Sequence, residues 1–451
     1  MNAIVVSFDR LPVGFLGCYG NGWIATPNFD RLAAESVLFH QHFAEDVSPG
    51  TECQAWWSGR YESRRRTSVS KDRSRQDSDG PSLPSLFMER GIAFRLLVET
   101  AREDDAADIA LLPPEDTESV RGSDGLDVPP EETPFFRLVA RAKRDLRLLR
   151  TSRSEPWLLW IKSRGVPEPW LAPRTFATQF LDVDGGTGPE DEVDDETAYE
   201  HEADEPEENR TEEGDDEGVV EMSAAEFDDL LRSMAQLPEG RTSRDALTGV
   251  QRGLMRKVFG GYVALLDAAL GRLLDQIDQA AATSPTLVIV TAGRGMTVRE
   301  PGVLLDDWER LADETVHTPL FVRPAGMNRG TRRQELVQTV DLFPTLAEWF
   351  GVDMAGASLD GKSLLPVIRG EERELRSRAW IADGQGFAGI RTGEFYLVTQ
   401  PAGQTDRDQR RLFAKPEDVW ETNDVAAQFP DLADKLASEL ERFFSDEKKT
   451  A

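Results

Sequence analysis

Charged side chains follow two apolar runs of the chain, and together they could bind an anion. Asp9 and Arg10 come directly after the run Ala3–Phe8, and Arg294 follows the run Thr286–Thr291. A guanidinium can donate two parallel hydrogen bonds to a carboxylate or to a tetrahedral oxyanion. The two arginines therefore have two possible partners, Asp9 or a bound sulfate or phosphate group, and the sequence leaves both open.

Hydroxyl groups near residue 50 offer a second kind of chemistry, nucleophilic attack. Ser48 and Thr51 lie just before a helical stretch that runs through Trp57. A serine or threonine nucleophile needs a base within hydrogen-bonding reach, and the available bases are His317 and Asp9. A single histidine more often makes a structural hydrogen bond than acts in catalysis. We keep Ser48, Thr51 and His317 as candidates for catalysis without assigning roles.

The run Thr286–Thr291 predicts the strand around which the fold is organised. Leu287–Thr291 are all apolar or β-branched, and Gly293 and Gly295 follow. This pattern is typical of a strand buried on both faces of a parallel sheet. In open α/β sheets, ligands bind at the carboxyl ends of such strands. The sequence therefore places a functional site at Gly293 and Arg294.

Strand-like and helical patterns alternate over most of the remaining chain. The predicted strands are Val37–Phe43, Ile92–Val98, Trp157–Ile161 and His317–Arg323, and the predicted helices are Leu83–Arg90, Phe135–Arg150, Val250–Ile277, Val340–Gly351 and Asp424–Phe444. Short strands between Ala379 and Thr399 predict a small antiparallel sheet. The acidic, proline-rich residues 104–132 are predicted to be irregular. The alternation predicts an α/β fold with a mainly parallel sheet.

The charge of the chain limits its partners. A net charge of −30 argues against a nucleic-acid or anionic-membrane partner for the protein as a whole. Residues 182–221 hold twenty acids and one base, Arg210, so this tract alone carries −19 and the rest carries −11. The tract has too few apolar residues to fold by itself, which predicts a disordered insertion. Such charge runs are usually only solvated; the alternative is a tether that binds a basic partner.

Cysteine usage and hydropathy predict a cytoplasmic protein. Cys18 and Cys53 are too few for a disulfide framework, which favours a reducing compartment. Because strand-like residues begin at Asn2, we expect no signal peptide. No apolar run is long enough to span a bilayer.

Short motifs along the chain, taken in order, resemble those of one protein family. They are Leu16–Asn21 with Thr26–Ala33, Ser58–Tyr61, Leu287–Thr291, Pro319–Arg323, Gln338–Leu346, Leu359–Leu364 and Arg391–Gly393. Each motif is weak alone, but their order resembles the sulfatases, within the alkaline phosphatase superfamily. The resemblance implies a large, mainly parallel sheet between helices in residues 1–370, and a small antiparallel sheet with the last helix in residues 371–451.

The resemblance also implies a catalytic motif, which this sequence does not complete. Family members hydrolyse sulfate esters with a formylglycine, made from the Cys or Ser of a Cys/Ser-x-Pro-x-Arg motif, beside a calcium ion. Counting back from Gly59–Tyr61 puts Pro49 at the position of the nucleophile. Moving the register to Ser48 puts Gly50 and Glu52 where the motif needs Pro and Arg. No register restores the motif.

The calcium ligands that the resemblance implies are also replaced. The family has two acids after the first strand, whereas here Asp9 is followed by Arg10. After the Thr286 strand the family has Asp-His or Asp-Asn, whereas here Gly293 and Arg294 stand. Calcium takes about six to eight oxygen ligands, so Asp9 is only a residual ligand position and we expect no metal. The positions of the family's histidines after the middle strand hold Lys162 and Pro167.

These substitutions leave two functions open. The first is a pseudo-sulfatase that has lost sulfuric-ester hydrolysis and binds a sulfated or phosphorylated small molecule or glycan through Asp9, Arg10 and Arg294, without a cofactor. The second is an active, calcium-dependent sulfuric- or phosphoric-ester hydrolase with Ser48 or Thr51 as an atypical nucleophile. The missing motif and metal ligands favour the first.

Overall fold

A computed structural model describes the protein over most of its length. The described residues are 1–48, 52–62, 82–100, 117–152, 155–167, 170–180, 229, 249–282, 284–297, 310–354, 357–401 and 410–445. Thr51 and the insertion predicted at residues 182–221 lie outside these ranges.

An eight-stranded sheet forms the centre of the fold. Its strands are β1 (Asn2–Arg10), β2 (Val37–Phe43), β3 (Ala93–Glu99), β4 (Thr117–Val120), β5 (Trp157–Gly165), β6 (Thr286–Arg294), β7 (Leu320–Arg323) and β8 (Thr331–Gln338). Their order across the sheet is β4-β3-β5-β1-β6-β7-β2-β8, and among these eight only β7 runs antiparallel to its neighbours. The mainly parallel α/β sheet predicted from the sequence is confirmed.

Helices cover both faces of this sheet. The helices of the described residues are α1 (Pro27–Ala34), α2 (Glu52–Ser58), α3 (Leu83–Glu89), α4 (Pro134–Ser152), α5 (Arg174–Ala177), α6 (Gly249–Ala281), α7 (Asp313–Val316), α8 (Leu342–Trp349), α9 (Leu365–Arg369) and α10 (Pro430–Ser445), of which α7 and α10 pack against the small C-terminal sheet. Successive residues of a strand point to opposite faces. Ile4, Val6 and Phe8 therefore contact the layer that includes α1, α4 and α6, and Ala3 and Val5 contact the layer that includes α2, α3 and α8.

The length and hydropathy of the helices can be compared with the prediction that no segment spans a membrane. Within the described part of the chain, none of the helices combines the length and the apolar character that a membrane crossing needs. The cytoplasmic location stays a prediction.

A four-stranded antiparallel sheet forms the C-terminal part of the fold. Its strands are β9 (Ala379–Ala382), β10 (Ala388–Arg391), β11 (Phe395–Thr399) and β12 (Arg410–Ala414), in the order β12-β11-β10-β9. Leu436 and Leu440 of α10 pack on one face, and Phe43 and Val316 pack against Tyr396 on the other. The predicted small antiparallel sheet is confirmed, and the domain boundary at residue 370 stays a prediction.

The sequence does not predict β4, β8 or β12. The prediction that residues 104–132 are irregular is wrong for Thr117–Val120, which pairs in parallel with β3. Both β4 and β8 are edge strands of the large sheet. Edge strands carry charged residues that discourage pairing with other chains. The two adjacent arginines of β8, Arg332 and Arg333, interrupt the alternation of apolar and polar residues by which strands are predicted.

Candidate functional site

The ends of three neighbouring parallel strands bring the predicted charged residues together. β1 lies between β5 and β6, and Arg10 is level with Gly165 and with Arg294. A side chain on Gly165, which has a φ of +70°, would meet the Arg10 carbonyl oxygen at 2.0 Å, so only glycine allows this close approach. All three strands end at the side of the sheet that is formed by the carboxyl ends of the parallel strands, where α/β sheets bind ligands. We refer to this side as the edge of the site.

Asp9 and Arg294 form a two-pronged ion pair at this edge. The Nε of Arg294 donates to Oδ1 of Asp9 at 3.1 Å, and its Nη2 donates to Oδ2 at 3.2 Å. Its Nη1 points to the Val47 carbonyl oxygen, 3.5 Å away. The side chains of Arg294 and Asp9 are 17% and 20% exposed, so solvent still reaches the pair. Two parallel hydrogen bonds fix the relative orientation of the two groups.

Two further cations face Asp9. The Nε of Arg10 lies 3.8 Å from Asp9 Oδ2. Lys162 lies on β5 opposite Ser7, which precedes Asp9 by two residues and so points to the same face of β1. Burial would raise the pKa of Asp9, but Arg294 and the two other cations hold it below the usual value of a carboxyl. Asp9 is therefore ionised at neutral pH beside three positive charges.

Sequence reasoning noted Lys162 only as the replacement of a family histidine, and missed it as a site residue. It extends the apolar run Trp157–Ile161 by one residue and is 8% exposed in the folded chain. A lysine that directly continues a buried run is the signal that could have identified it, since buried lysines are rare without a charged partner.

Ser48 is held by the turn between β9 and β10. The Gly384 N–H donates to Ser48 Oγ at 2.8 Å, and the Ser48 N–H donates to Oδ1 of the buried Asp46 at 2.7 Å. A backbone hydrogen bond of 3.2 Å from Val47 to Ala382 fixes the same turn. The Ser48 hydroxyl therefore helps to seat the small sheet. Sequence reasoning did not select Asp46.

His317 makes the contacts of a structural histidine. Its Nε2 lies 2.7 Å from the His40 carbonyl oxygen, which can only accept, so this nitrogen carries a proton. Its Nδ1 lies 3.4 Å from the Asp313 carboxylate, and its ring packs on Phe43 at 5.2 Å. None of these contacts joins His317 to Ser48.

The residues at this edge do not fit a calcium site. The guanidinium of Arg294 takes both oxygens of Asp9, and Gly293 has no side chain to offer. Calcium needs about six to eight oxygens, several of them anionic. Over the described ranges, no group of three or more His, Cys, Asp or Glu side chains converges as metal ligands would. We therefore assign no chemical step to a metal ion at this edge.

Two family models match the chain. The Sulfatase model matches residues 128–352, and the model for the C-terminal part of N-sulphoglucosamine sulphohydrolase matches residues 306–445. Human iduronate 2-sulfatase is 24% identical over 412 residues, which cover 78% of this chain and 70% of the human protein. The chain belongs to the sulfatase family, within the alkaline phosphatase superfamily.

Solved structures share the sulfatase fold of this chain. BT4656 in complex with its substrate D-glucosamine-2-N,6-O-disulfate superposes with a TM-score of 0.69 at 19% identity, over 99% of this chain and 98% of that chain. The phosphonate monoester hydrolase of Agrobacterium radiobacter gives 0.69 at 19% identity, over 99% and 95%. At these identities the structural likeness establishes the fold alone.

A further relative matches part of the sequence. The alkaline phosphatase superfamily protein PehA of Trinickia caryophylli is 30% identical over 116 residues, 25% of this chain and 22% of PehA.

Proposed function

We propose that this sulfatase-family protein binds a sulfated or phosphorylated ligand and does not hydrolyse it. The observation that carries the proposal is the two-pronged ion pair between Arg294 and Asp9. Asp9 is the carboxylate that remains where the family resemblance implies a group of calcium ligands. In this chain a guanidinium binds that carboxylate instead.

Electrostatics at this edge oppose a divalent cation and favour an anion. Two unit charges about 4 Å apart interact by about 4 kcal/mol at an effective dielectric constant of 20, and a divalent ion doubles the repulsion from each nearby cation. Arg10, Lys162 and Arg294 supply three positive charges and Asp9 supplies one negative charge. The guanidinium groups of Arg10 and Arg294 suit a sulfate or phosphate group, whose oxygens accept the parallel N–H groups of an arginine.

The segment around residue 48 supports the loss of hydrolysis. Pro49 stands at the position that the family motif gives to the nucleophile, and the Ser48 hydroxyl accepts a hydrogen bond from the Gly384 backbone. A serine nucleophile needs a neighbouring base to remove its proton. His317, the candidate base, is bound to the His40 carbonyl oxygen.

The names of structural neighbours indicate which ligands to test first. One neighbour binds D-glucosamine-2-N,6-O-disulfate as its substrate, and another is described as a 2-O GAG sulfatase. Two more are phosphonate monoester hydrolases. We therefore place sulfated sugars first among the ligands of this chain, and phosphate or phosphonate monoesters second.

Calorimetric titration tests anion binding. Full-length protein is titrated with inorganic sulfate, with phosphate and with D-glucosamine-2-N,6-O-disulfate. We expect saturable binding, weakened about tenfold or more by Arg294→Gln, because that change removes the charged fork. Arg329→Gln, at an exposed arginine away from the site, should leave the affinity unchanged. No heat with any of the three ligands would remove the binding proposal.

Metal analysis combined with activity assays tests the loss of hydrolysis. Purified protein is assayed for bound calcium and for turnover of aryl sulfate and aryl phosphate. We expect neither stoichiometric calcium nor turnover. Stoichiometric calcium together with turnover that disappears in Ser48→Ala or Thr51→Ala would instead establish the active hydrolase with an atypical nucleophile.

A further inference from the structure

Helix α4 concentrates positive charge in an otherwise acidic protein. Its 19 residues contain six bases and a single acid, Asp145, whereas the whole chain has a net charge of −30. Asp145 is buried and accepts from Arg95 Nε at 3.0 Å, and Arg141 Nη2 lies 3.2 Å from its other oxygen. The one acid of the helix is therefore already paired, and it does not neutralise the bases on the outer side.

The apolar side of α4 faces the core, so several of its cations face solvent. The buried side chains of the helix are those of Phe135, Phe136, Leu138, Val139, Ala142, Asp145, Leu146 and Leu149. On the opposite side Arg137 and Arg144 are exposed, and Lys143 beside them is half-buried. The two arginines are about two helical turns, or about 10 Å, apart and leave the same side of the helix. We call Arg137, Lys143 and Arg144 the basic face.

The basic face is not neutralised by the part of the chain that the structure describes. Within the described ranges, no Asp or Glu carboxylate lies at ion-pair distance from Arg137, Lys143 or Arg144. Arg137 Nη1 donates to the Arg121 carbonyl oxygen at 3.4 Å, and a carbonyl carries no net charge. Three cations on one side of a helix can therefore still bind an acidic segment.

The acidic tract, residues 182–221, has the charge that would match this face. It carries −19, with twenty acids and one base. A block of like charges repels itself, and a cationic surface within reach relieves part of that repulsion. Binding to a basic partner is one of the two interpretations that the sequence leaves open for the tract, and α4 offers such a partner within the same chain.

The tract is attached to the helical layer that contains α4. It follows α5 and precedes α6 in the chain. These two helices are so close that a Cβ on Gly261 would meet the Phe176 carbonyl oxygen at 2.2 Å. Helix α6 also packs on α4, with the Arg272 guanidinium 4.7 Å from the centre of the Phe136 ring. Packed helices have axes about 8–10 Å apart, and a flexible chain of about 20 residues spans about 25 Å. The tract can therefore reach the basic face.

We propose that the basic face of α4 is a docking surface for the acidic tract of the same chain. Charge complementarity and reach favour this occupant over a second copy or an external polyanion, because attachment within one chain gives the tract a high effective concentration near α4. The docking is electrostatic and does not depend on anion binding at Arg294. Most acids of the tract stay solvated, since they outnumber the three cations of the face.

Carbodiimide cross-linking of the full-length protein tests the docking. The reagent joins an amine to a carboxylate in direct contact, and Lys143 is the only lysine of α4. We expect peptides that link Lys143 to residues 182–221. Their yield should fall about fivefold between about 0.02 M and about 0.5 M salt, because salt screens exposed charges over this range. Lys435, exposed on α10, is the internal reference and should give few links to the tract.

A double variant tests whether the arginines hold the tract. Arg137→Gln combined with Arg144→Gln removes two charges of the basic face and keeps the reactive Lys143. The yield of links from Lys143 to the tract should fall about fivefold, which is the change that two exposed ion pairs of ordinary strength produce together. Arg329→Gln, at an exposed arginine away from α4, should leave the yield unchanged. The salt series on the wild type tests the docking without any substitution.

Four results would overturn the proposal. Lys143 gives no more links to the tract than Lys435 does, or it links instead to the acids between residues 103 and 116, which precede β4 in the sequence. In a mixture of isotopically labelled and unlabelled protein, links that pair the two kinds of chain at random would show docking on a second copy. If Lys143 gives no links and the double variant leaves immobilised heparin at lower salt than the wild type, the occupant is an external sulfated polysaccharide.

Discussion

Two acids, the partly exposed Asp9 and the buried Glu99, lie on opposite faces of the large sheet at the carboxyl ends of its strands, and their pKa values are shifted in opposite directions. Asp9 is the penultimate residue of β1 and lies on the face that α2 covers, whereas Glu99 is the last residue of β3 and lies on the face that α6 covers. Burial acts on both carboxyls. Arg294 overcomes it at Asp9, whose pKa is lowered, whereas burial raises the pKa of Glu99 to about 7.

The neighbours of Glu99 explain why its pKa rises. Its Oε2 accepts from the Ser163 hydroxyl at 2.6 Å and from the Arg164 backbone N–H at 3.2 Å. These hydrogen bonds and the Arg164 charge lower the pKa but do not offset the burial, and the nearby carboxyl of Asp124 raises it further. The position of an acid at the carboxyl ends of the strands therefore does not set its charge, whereas direct contact with a guanidinium does.

Arg294→Ala should have the largest effect on the Asp9 face. It leaves the mostly buried Asp9 carboxylate without its two-pronged partner, and removal of one member of a buried ion pair typically costs about 3 kcal/mol. We expect the free energy of unfolding, measured by urea denaturation at pH 7, to fall by about that amount.

The control for this prediction is the double variant. Asp9→Ala combined with Arg294→Ala removes both charges and should regain a large part of the lost stability, because the carboxylate that lacked its guanidinium partner is then absent. Arg329→Ala, at an exposed arginine, should change the free energy of unfolding by no more than about 0.5 kcal/mol. A double variant no more stable than Arg294→Ala would show that Asp9 does not depend on this partner.

Glu99→Gln should have a smaller effect, of opposite sign, on the other face. Because folding raises the pKa of Glu99, its contribution to stability is present at low pH and is lost as the pH rises through about 7. The neutral amide avoids that loss. We expect the variant to be more stable than the wild type by about 2 kcal/mol at pH 8 and to differ little at pH 5, as measured by urea denaturation.

Glu132→Gln, at an exposed glutamate, is the matched control for this change and should show no pH-dependent difference from the wild type. If Glu99→Gln instead destabilised the protein equally at both pH values, Glu99 would be ionised across this range, and the contrast with Asp9 would disappear.

The sequence predicted the strands of the core and predicted that Asp9 and Arg294 lie close together. Both predictions rest on local patterns: the apolar runs of β1 and β6 are continuous, and parallel strands end at a common edge. The resemblance to sulfatases predicted the family correctly, on motifs spread over nearly the whole chain. Edge strand β8 was missed because its charged residues interrupt the apolar alternation.

The sequence could not predict how the acids of this protein ionise. Neither Asp9 nor Glu99 belongs to a sequence motif that predicts its ionisation. Their partners come from distant segments: Arg294 for Asp9, and Ser163 for Glu99. Ionisation depends on burial and on such partners, and both become defined only when the strands are in place.

Chelation should have the smallest effect, which we expect to be none. A ligand present at one hundred times its Kd stabilises the native state by about 2.7 kcal/mol, so loss of a resident calcium ion would lower the melting temperature by several degrees. Because Arg294 binds the carboxylate that calcium would need, we expect EDTA or added calcium to change the melting temperature of the wild type by less than about 1 °C. Arg294→Ala sharpens the result: it removes the competing cation, so stabilisation by calcium in this variant alone would show that the guanidinium excludes the metal. Stabilisation of the wild type by calcium would show that Asp9 still serves a metal site. A metal ion, and not the Arg294 guanidinium, would then explain why Asp9 and Glu99 ionise differently.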